Sequence, residues 1–389
     1  MSIRRKRMNN RFLFACLWVM LLPALTAKAF QVTPHTQISL ITAGPGPELY
    51  TIFGHNALRI KDTSQHTDVF FNYGTFDFNT PGFYFKFVRG HLNYMLSAED
   101  YQSFMYTYVV NGQWLKEQVL NLTMEQKQKI CNFIENNYKP ENRFYRYDFY
   151  YDNCATRIRD VIFMACNDSL VFRRTGQEPE KTIRQYLDSY LEAFPWIHLG
   201  VDLVMGLPAD RLCDIHQEMF LPELMMQNLA TASCRNQPLI SETFTMLEGH
   251  EQPVHCPFLL KPVIIFWALF VLSLWIFFRA PERLPLFQRI WFTFWGIIGI
   301  IIAFMWFFTD HQATKMNLNL FWLCPAHFLV WLPHCKTKIY YFQLVALLII
   351  LTFTGWVLGF YPQGIHPAFL PLWLISLVLA WQTARGKSL

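Results

Sequence analysis

The sequence predicts an α+β exported domain followed by a bundle of five transmembrane helices. Three features carry that expectation: an export signal at the N-terminus, a middle stretch of strand and helix patterns separated by turn residues, and a C-terminal third that is apolar in long runs. At 389 residues, with 53% hydrophobic and 17% aromatic side chains, the chain is too apolar for an ordinary soluble protein and is read against a membrane.

Residues 1–29 carry Arg4, Arg5, Lys6 and Arg7, then the apolar run Phe12–Leu25, and close on Ala27-Lys28-Ala29, the pattern of a cleaved secretory signal. An uncleaved anchor helix is the alternative, and either way residues 30–257 are exported. Cys16 follows Leu13-Phe14-Ala15, but too little apolar sequence precedes it for a lipid-anchor cysteine.

Within 30–257, Ile38–Thr42 reads as a strand that two Gly-Pro steps end at Ala43–Pro47. Tyr50–Ile60 is β-branched and aromatic enough to be a strand buried on both faces, and it carries His55. Asp68–Tyr73 returns antiparallel to it, which sets Asn72 beside His55; Asp77 falls in the turn that follows. Residues 81–110 mix aromatics with Lys86, Arg89 and His91 at no clean period. They suit a membrane interface or an acyl-chain groove, and equally a core lined by rings. Thr123-Met124-Glu125-Gln126 is a capping box opening a helix to Tyr138, stopped by Lys139-Pro140. Lys181–Phe194 and His216–Ala232 read as further helices, joined through Pro195-Trp196 and the turn Gly206–Asp210. No internal repeat divides this region, so one domain is expected.

Residues 258–389 hold five apolar segments: Pro262–Phe278, Ile290–Phe308, Leu318–Leu332, Ile339–Phe360 and Pro367–Trp381. The third and fifth are shorter than the roughly 20 residues that span a bilayer. Arg279, Arg283 and Arg289 follow the first, Lys336 and Lys338 the third, and Arg385 and Lys387 the fifth, which is positive-inside for an exported N-terminal domain in a bacterial inner membrane. Thr309–Asn317 is then an outward loop with Asp310, His311 and Lys315, and Tyr361–His366 an uncharged one.

The net charge of +5 lies partly in the signal and the inner loops and argues for no nucleic-acid partner. Nine cysteines in this length are not a disulfide framework. Besides Cys154, the exported domain has Cys131, Cys166, Cys213, Cys234 and Cys256, enough for at most two bridges. No cofactor and no metal are expected.

The chemistry centres on Arg143–Cys166. Asp152-Asn153 precedes Cys154, and Ile158, Val161, Ile162 and Ala165 follow at helical spacing, so the cysteine opens a helix on its inward face. A thiol in the first helical turn feels unpaired backbone N–H groups and the positive dipole end, which favour the thiolate. A buried cysteine behind an ordinary Asp/Asn cap fits the same stretch. A helix-start cysteine, a strand histidine and a polar orienter on the next strand make up a Cys-His site of papain type. Here the histidine comes first, a circular permutation known from acyltransferases of the vitamin A type. That gives the fold expectation its detail: a permuted papain-like (NlpC/P60-like) domain. His55 is the candidate base, Asn72 the candidate orienter with Asp77 behind it, and the Cys154 N–H and Asn153 side chain are candidates for an oxyanion hole.

The segments FGHNALRI at 53–60, FNYGTFDF at 71–78, RYDFYYDNCATRIRD at 146–160, PWIHLGVDLVMGLPADR at 195–211 and MFLPELM at 219–225 resemble the periplasmic domain of the Lnb-type lipoprotein N-acyltransferases, and FFTDHQATKMNLNLFWLCP at 307–325 resembles the family's membrane part. The resemblance implies that Cys154 and His55 are catalytic. It further implies an acyl chain taken from a phospholipid donor through a thioester to the N-terminal amine of a diacylated lipoprotein acceptor. Asp310 and His311 enter as candidate substrate-binding residues by topology alone. The residues by themselves reach membrane-tethered acyl transfer or hydrolysis. A papain-like amidase of cell-wall peptide and a non-catalytic envelope assembly protein stay open.

Overall fold

The computed structural model describes residues 30–167, 169–172, 180–250 and 256–385. The expected signal peptide, with Cys16, lies outside the described residues.

The N-terminal part is built on an antiparallel seven-stranded sheet. Its strands are β1 (Thr36–Ala43), β2 (His55–Asp62), β3 (Thr67–Thr75), β4 (Asn93–Asp100), β5 (Leu115–Leu120), β6 (Phe144–Arg146) and, after two short strands (Leu170–Val171 and Ser233–Cys234) and a third at Gln237–Pro238, the strand Ile240–Leu247. The order across the sheet starts with Ile240–Leu247, then β5, β1, β2, β3, β4 and β6. The expected β1–β2–β3 meander is present, with Leu58 opposite Leu40 on one side and Phe71 on the other. The middle strand begins later than its composition suggests, because Tyr50–Phe53 form a turn. Gly54 sits at φ +74°, where a Cβ would stand 2.5 Å from Ala43 O, so only glycine lets the chain swing into β2.

Residues 81–110 resolve into three elements: helix α1 (Phe83–Arg89), strand β4 and helix α2 (Tyr101–Asn111). The reading of a core lined by rings holds for part of it. Phe104 and Tyr108 of α2 go into a core against Phe70, whereas α1 keeps most of its rings exposed. The capping box at Thr123 opens α3 (Met124–Tyr138) as expected. Helix α4 (Cys154–Ala165) then packs Ile158, Val161 and Ile162 onto the face of the sheet that presents Leu40, Leu58 and Ile60.

Two helix expectations need correction. Pro195-Trp196 is not a joint but the start of α6 (Pro195–Val204), with proline at a first-turn position where its missing N–H costs nothing. His216–Ala232 is not one helix, because Pro222 cannot continue the preceding turn; the chain forms α7 (Ile215–Glu218) and restarts as α8 (Pro222–Thr231). Helix α5 (Ile183–Leu191) lies just before α6.

Among the described residues, the C-terminal part has three helices long and apolar enough to cross a membrane, at Pro262–Arg279, Pro281–Phe307 and Lys336–Val357. Their α-helical portions are α9 (Pro262–Arg279), α10 (Leu284–Phe307) and α11 (Lys336–Val357); α12 (Phe369–Arg385) is a shorter apolar helix. The expected third helix, Leu318–Leu332, is instead a pair of 3-10 segments, Leu318–Phe321 and Pro325–Trp331. It runs antiparallel along α10. Lys315 Nζ donates to Trp306 O (2.6 Å), a Cβ on Gly299 would collide with Leu323 O, and Trp331 Nε1 donates to Thr293 Oγ1 (2.8 Å). Pro325 removes a helical donor at its centre, and His327 bonds both the Tyr341 hydroxyl (2.7 Å) and Trp322 O (2.9 Å). Such irregular backbone is tolerated at membrane depth only where protein surrounds it.

The two parts are joined by buried polar contacts. Leu199 and Leu203 of α6 enter the same apolar cluster as Trp291, Trp295 and Trp322. Asn317 Nδ2 donates to Leu203 O (2.8 Å) and Asn319 Nδ2 to Asp202 O (3.1 Å). Arg184 bonds Asp202 (2.6 Å) and Asp210 (2.7 Å), while the Gly364 N–H from the loop after α11 donates to Asp210 (3.0 Å).

Candidate active site

The local sequence mounts Cys154 as expected. Asn153 caps α4 by accepting from Thr156 N (2.9 Å), and the Thr156 hydroxyl accepts from Asn153 N (2.8 Å), a reciprocal box that fixes the start of the helix. Cys154 occupies the first helical position, where its own N–H has no acceptor within the helix. It lies at the end of the sheet where β2 begins and β3 ends. Gly74 sits at φ +90°, a conformation that favours glycine, and a Cβ there would be in ordinary contact with the Cys154 Cβ at 3.7 Å, so the end of β3 lies beside the cysteine.

His55 is the first residue of β2 and is half-buried. Its ring lies near enough to the Cys154 thiol for each group to act on the other's charge. On the other side His55 Nε2 contacts Asn72 Oδ1 at 3.2 Å. An amide oxygen only accepts, so Nε2 carries the proton and Nδ1 is left to face sulfur. Asn72 Nδ2 in turn donates to Glu99 Oε1 (3.0 Å). Asn72 precedes a register break in β3 between Asn72 and Thr75, an irregularity of the kind that re-aims side chains beside active sites.

The electrostatics follow from these contacts. Burial pushes the Cys154 thiol up, but the charge and hydrogen bond of His55 and the N–H groups of Asn56 and Ala155 outweigh it, and the thiol ends below its ordinary value. Burial pulls His55 down, yet the Cys154 sulfur, the Asn72 bond and Glu99 together leave it above its ordinary value. Burial also lifts Glu99, which His55 and Asn72 only partly offset. Both shifts run in the direction that eases transfer of the thiol proton to the imidazole. Cys131 and Cys166, which lack such partners, are pushed up to about 12 by burial.

The remaining expected residues fall elsewhere. The Asn153 amide is fully committed to backbone, donating to Phe149 O (2.7 Å) and Phe220 O (2.8 Å) besides its capping role, so it has no donor left for an oxyanion or a substrate. Asp77 accepts from Asn79 N (2.8 Å) within its own turn. Asp310 meets Arg146 (3.0 Å) and His91 (3.1 Å), and His311 bonds Phe87 O (3.1 Å), which ties the loop 309–317 to α1 and β6 rather than to Cys154. Two neighbours escaped sequence reasoning. Glu99 is hidden in the aperiodic 81–110 stretch, and Tyr147, stacked on Tyr94 (4.3 Å), stands beside Gly74 and feels the Cys154 charge.

Among the described residues, His198, Asp202 and His366 are grouped closely enough to hold a metal ion. Their chemistry is already used: Asp202 is paired with Arg184, His198 lies 2.9 Å from Asp188 and is raised to about 9, and His366 Nδ1 accepts from Ala368 N (3.1 Å). The group belongs to the joint between the two parts. Among the described residues all the cysteines are free.

The comparisons with known proteins agree with this architecture. Residues 28–189 match the Lnb N-terminal periplasmic domain and residues 254–384 the Lnb transmembrane domain. No curated protein and no solved structure matched the chain. Bearing both domains in this order, the chain belongs to the Lnb family, a membrane protein with a periplasmic region.

Proposed function

We propose that the protein is an inner-membrane lipoprotein N-acyltransferase with Cys154 as nucleophile. The observation that carries this reading is the placement of His55 beside the Cys154 thiol, with Asn72 bonded to the His55 ring and Glu99 bonded to Asn72, at the sheet end nearest the outward loops of the membrane part. The Cys154 thiolate attacks the ester carbonyl of a phospholipid acyl chain; a thioester forms, the ester C–O bond breaks, and lysophospholipid leaves with a proton from His55. An acceptor amine then attacks the thioester, losing a proton to His55, and an amide forms as the thiolate is released. Asn72 holds the His55 ring in the tautomer that serves sulfur, and Glu99 holds Asn72. The Cys154 N–H, lacking an acceptor within the helix, is the donor we assign to the oxyanion. The lowered thiol and the raised imidazole both ease proton transfer from sulfur to His55.

The exported domain is read as residues 30–257 and the membrane domain as 258–389. The irregular segment 318–332 supplies the third of five crossings, so the inner loops keep their Arg and Lys residues and Arg385 ends on the cytoplasmic side. The donor is a phospholipid and the acceptor a diacylated lipoprotein. In the test, purified protein in phospholipid vesicles receives a diacylated lipopeptide with a free N-terminal amine. The expected product carries one more acyl chain and no free amine. Cleavage of a cell-wall peptide with no acyl transfer would put an amidase in its place.

A further inference from the structure

Helix α1 has no use in the chemistry above, yet it leaves rings and basic side chains together on its exposed surface. Glycines at φ +69° (Gly82) and +71° (Gly90) bracket it, and Tyr84, Phe85, Phe87 and Val88 are 78%, 64%, 50% and 40% exposed. Lys86 and Arg89 interleave with these rings. An apolar surface of this kind beside basic side chains is the pattern of a helix lying in a lipid interface, rings among the acyl chains and cations at the phosphates. Its position agrees. The Asp310 N–H donates to Arg89 O (3.0 Å) and His311 bonds Phe87 O (3.1 Å), so α1 is fastened to the loop that directly follows α10, whose last ring, Phe307, is exposed along with Phe308.

The buried side of α1 leads to the thiol. Phe83 packs on Phe76 (5.9 Å) and Phe78 (5.0 Å), Phe76 on Tyr94 (5.2 Å), and Tyr94 on Tyr147 (4.3 Å), and Tyr147 and the Cys154 Cβ both border the space that a Gly74 Cβ would take. The rings run from the exposed helix to the neighbourhood of Cys154.

Building on the acyltransferase reading, we propose that α1 is embedded in the outer leaflet of the membrane crossed by α9–α11, and that the rings behind it guide a phospholipid acyl chain to Cys154. Lys86 and Arg89 hold the donor phosphate while the chain slides over Phe83.

The test uses full-length protein in vesicles of phosphatidylethanolamine and phosphatidylglycerol. A photo-crosslinking phenylalanine analogue replaces Phe85 or, as control, Thr63 in the hairpin at the far end of β2. A lipid-mass adduct at position 85 and none at 63 is expected. No adduct at 85, or equal adducts at both, overturns the placement whether or not the protein transfers acyl groups. In parallel, Cys154 acylation by vesicles is compared with acylation by a short-chain, water-soluble thioester. For F85S/F87S the vesicle-to-soluble ratio should fall at least about tenfold, since two large rings no longer enter lipid. An unchanged ratio overturns the guiding role. Wild-type protein acylated by neither donor refutes the acyltransferase reading instead, and the adduct still decides where α1 lies.

Discussion

Replacing Asn72 with alanine removes a side chain that touches no reacting atom and so isolates what orientation of His55 contributes. Asn72 Oδ1 stands 3.2 Å from His55 Nε2, and its Nδ2 is held 3.0 Å from Glu99. A hydrogen bond to a charged partner contributes about 1.5–3 kcal/mol. If the imidazolium is the form that protonates the leaving group, losing that bond slows the acylation step by about tenfold to about 150-fold. The loss should fall on kcat, because Asn72 is not assigned to substrate. It should also lower the His55 pKa, since the Asn72 bond is one of the causes that raise it. Asn72→Asp keeps an acceptor in place and should recover part of the rate. The assay is acyl transfer to lipopeptide across pH, with thermal unfolding as the control for folding. An Asn72→Ala protein that is folded, turns over within twofold of wild type and has the same pH profile would refute the reasoning.

Other outcomes follow from the same geometry. Cys154→Ala and His55→Ala should each abolish transfer, whereas Cys131→Ala and Cys166→Ala retain it, because nucleophile and base act as a unit; lipopeptide mass reads this directly. The Cys154 thiol lies below its ordinary value, so alkylation by a neutral reagent should persist as pH falls and be lost only below that lowered midpoint. In His55→Ala, burial is left opposed only by the N–H groups, and the midpoint should move up. Arg184→Met strands Asp202 and Asp210 at the joint, a loss of about 3–5 kcal/mol that should lower the unfolding midpoint in detergent by on the order of 10 °C.

Much of the site could be read from residues because its signals are local. Asp152-Asn153 before Cys154, with Ile158, Val161 and Ile162 behind, announces a capped helix, and capped it is. His55 and Asn72 lie on strands whose β-branched and aromatic residues mark them, and the antiparallel return brings the two together. What sequence reasoning missed depends on distant partners. Glu99 carries no spacing signal; only the β3–β4 pairing, with Asn72 opposite Ser97, brings it beside Asn72. Asn153 has the chemistry of an oxyanion donor, but Phe220 O, from a loop far along the chain, takes its amide. Apolar composition argued for a helix at Leu318–Leu332. The structure weighs Pro325, the two bonds of His327 and the close approach allowed by Gly299 more heavily, and the backbone follows them. The expected export signal and the charges of residues 279–289, 336–338 and 385–387 bear on topology, which rests on composition and not on the fold.

The central claim is that an acyl chain rests on Cys154 between donor and acceptor. Purified full-length protein incubated with phospholipid vesicles and no acceptor, then measured as intact protein by mass spectrometry, tests it most directly. The account expects a gain of one acyl mass located on Cys154, removed by hydroxylamine, absent in Cys154→Ala and discharged when a diacylated lipopeptide is added. Formation of the acylated lipopeptide with Cys154 never carrying that mass, or in the Cys154→Ala protein, would contradict it.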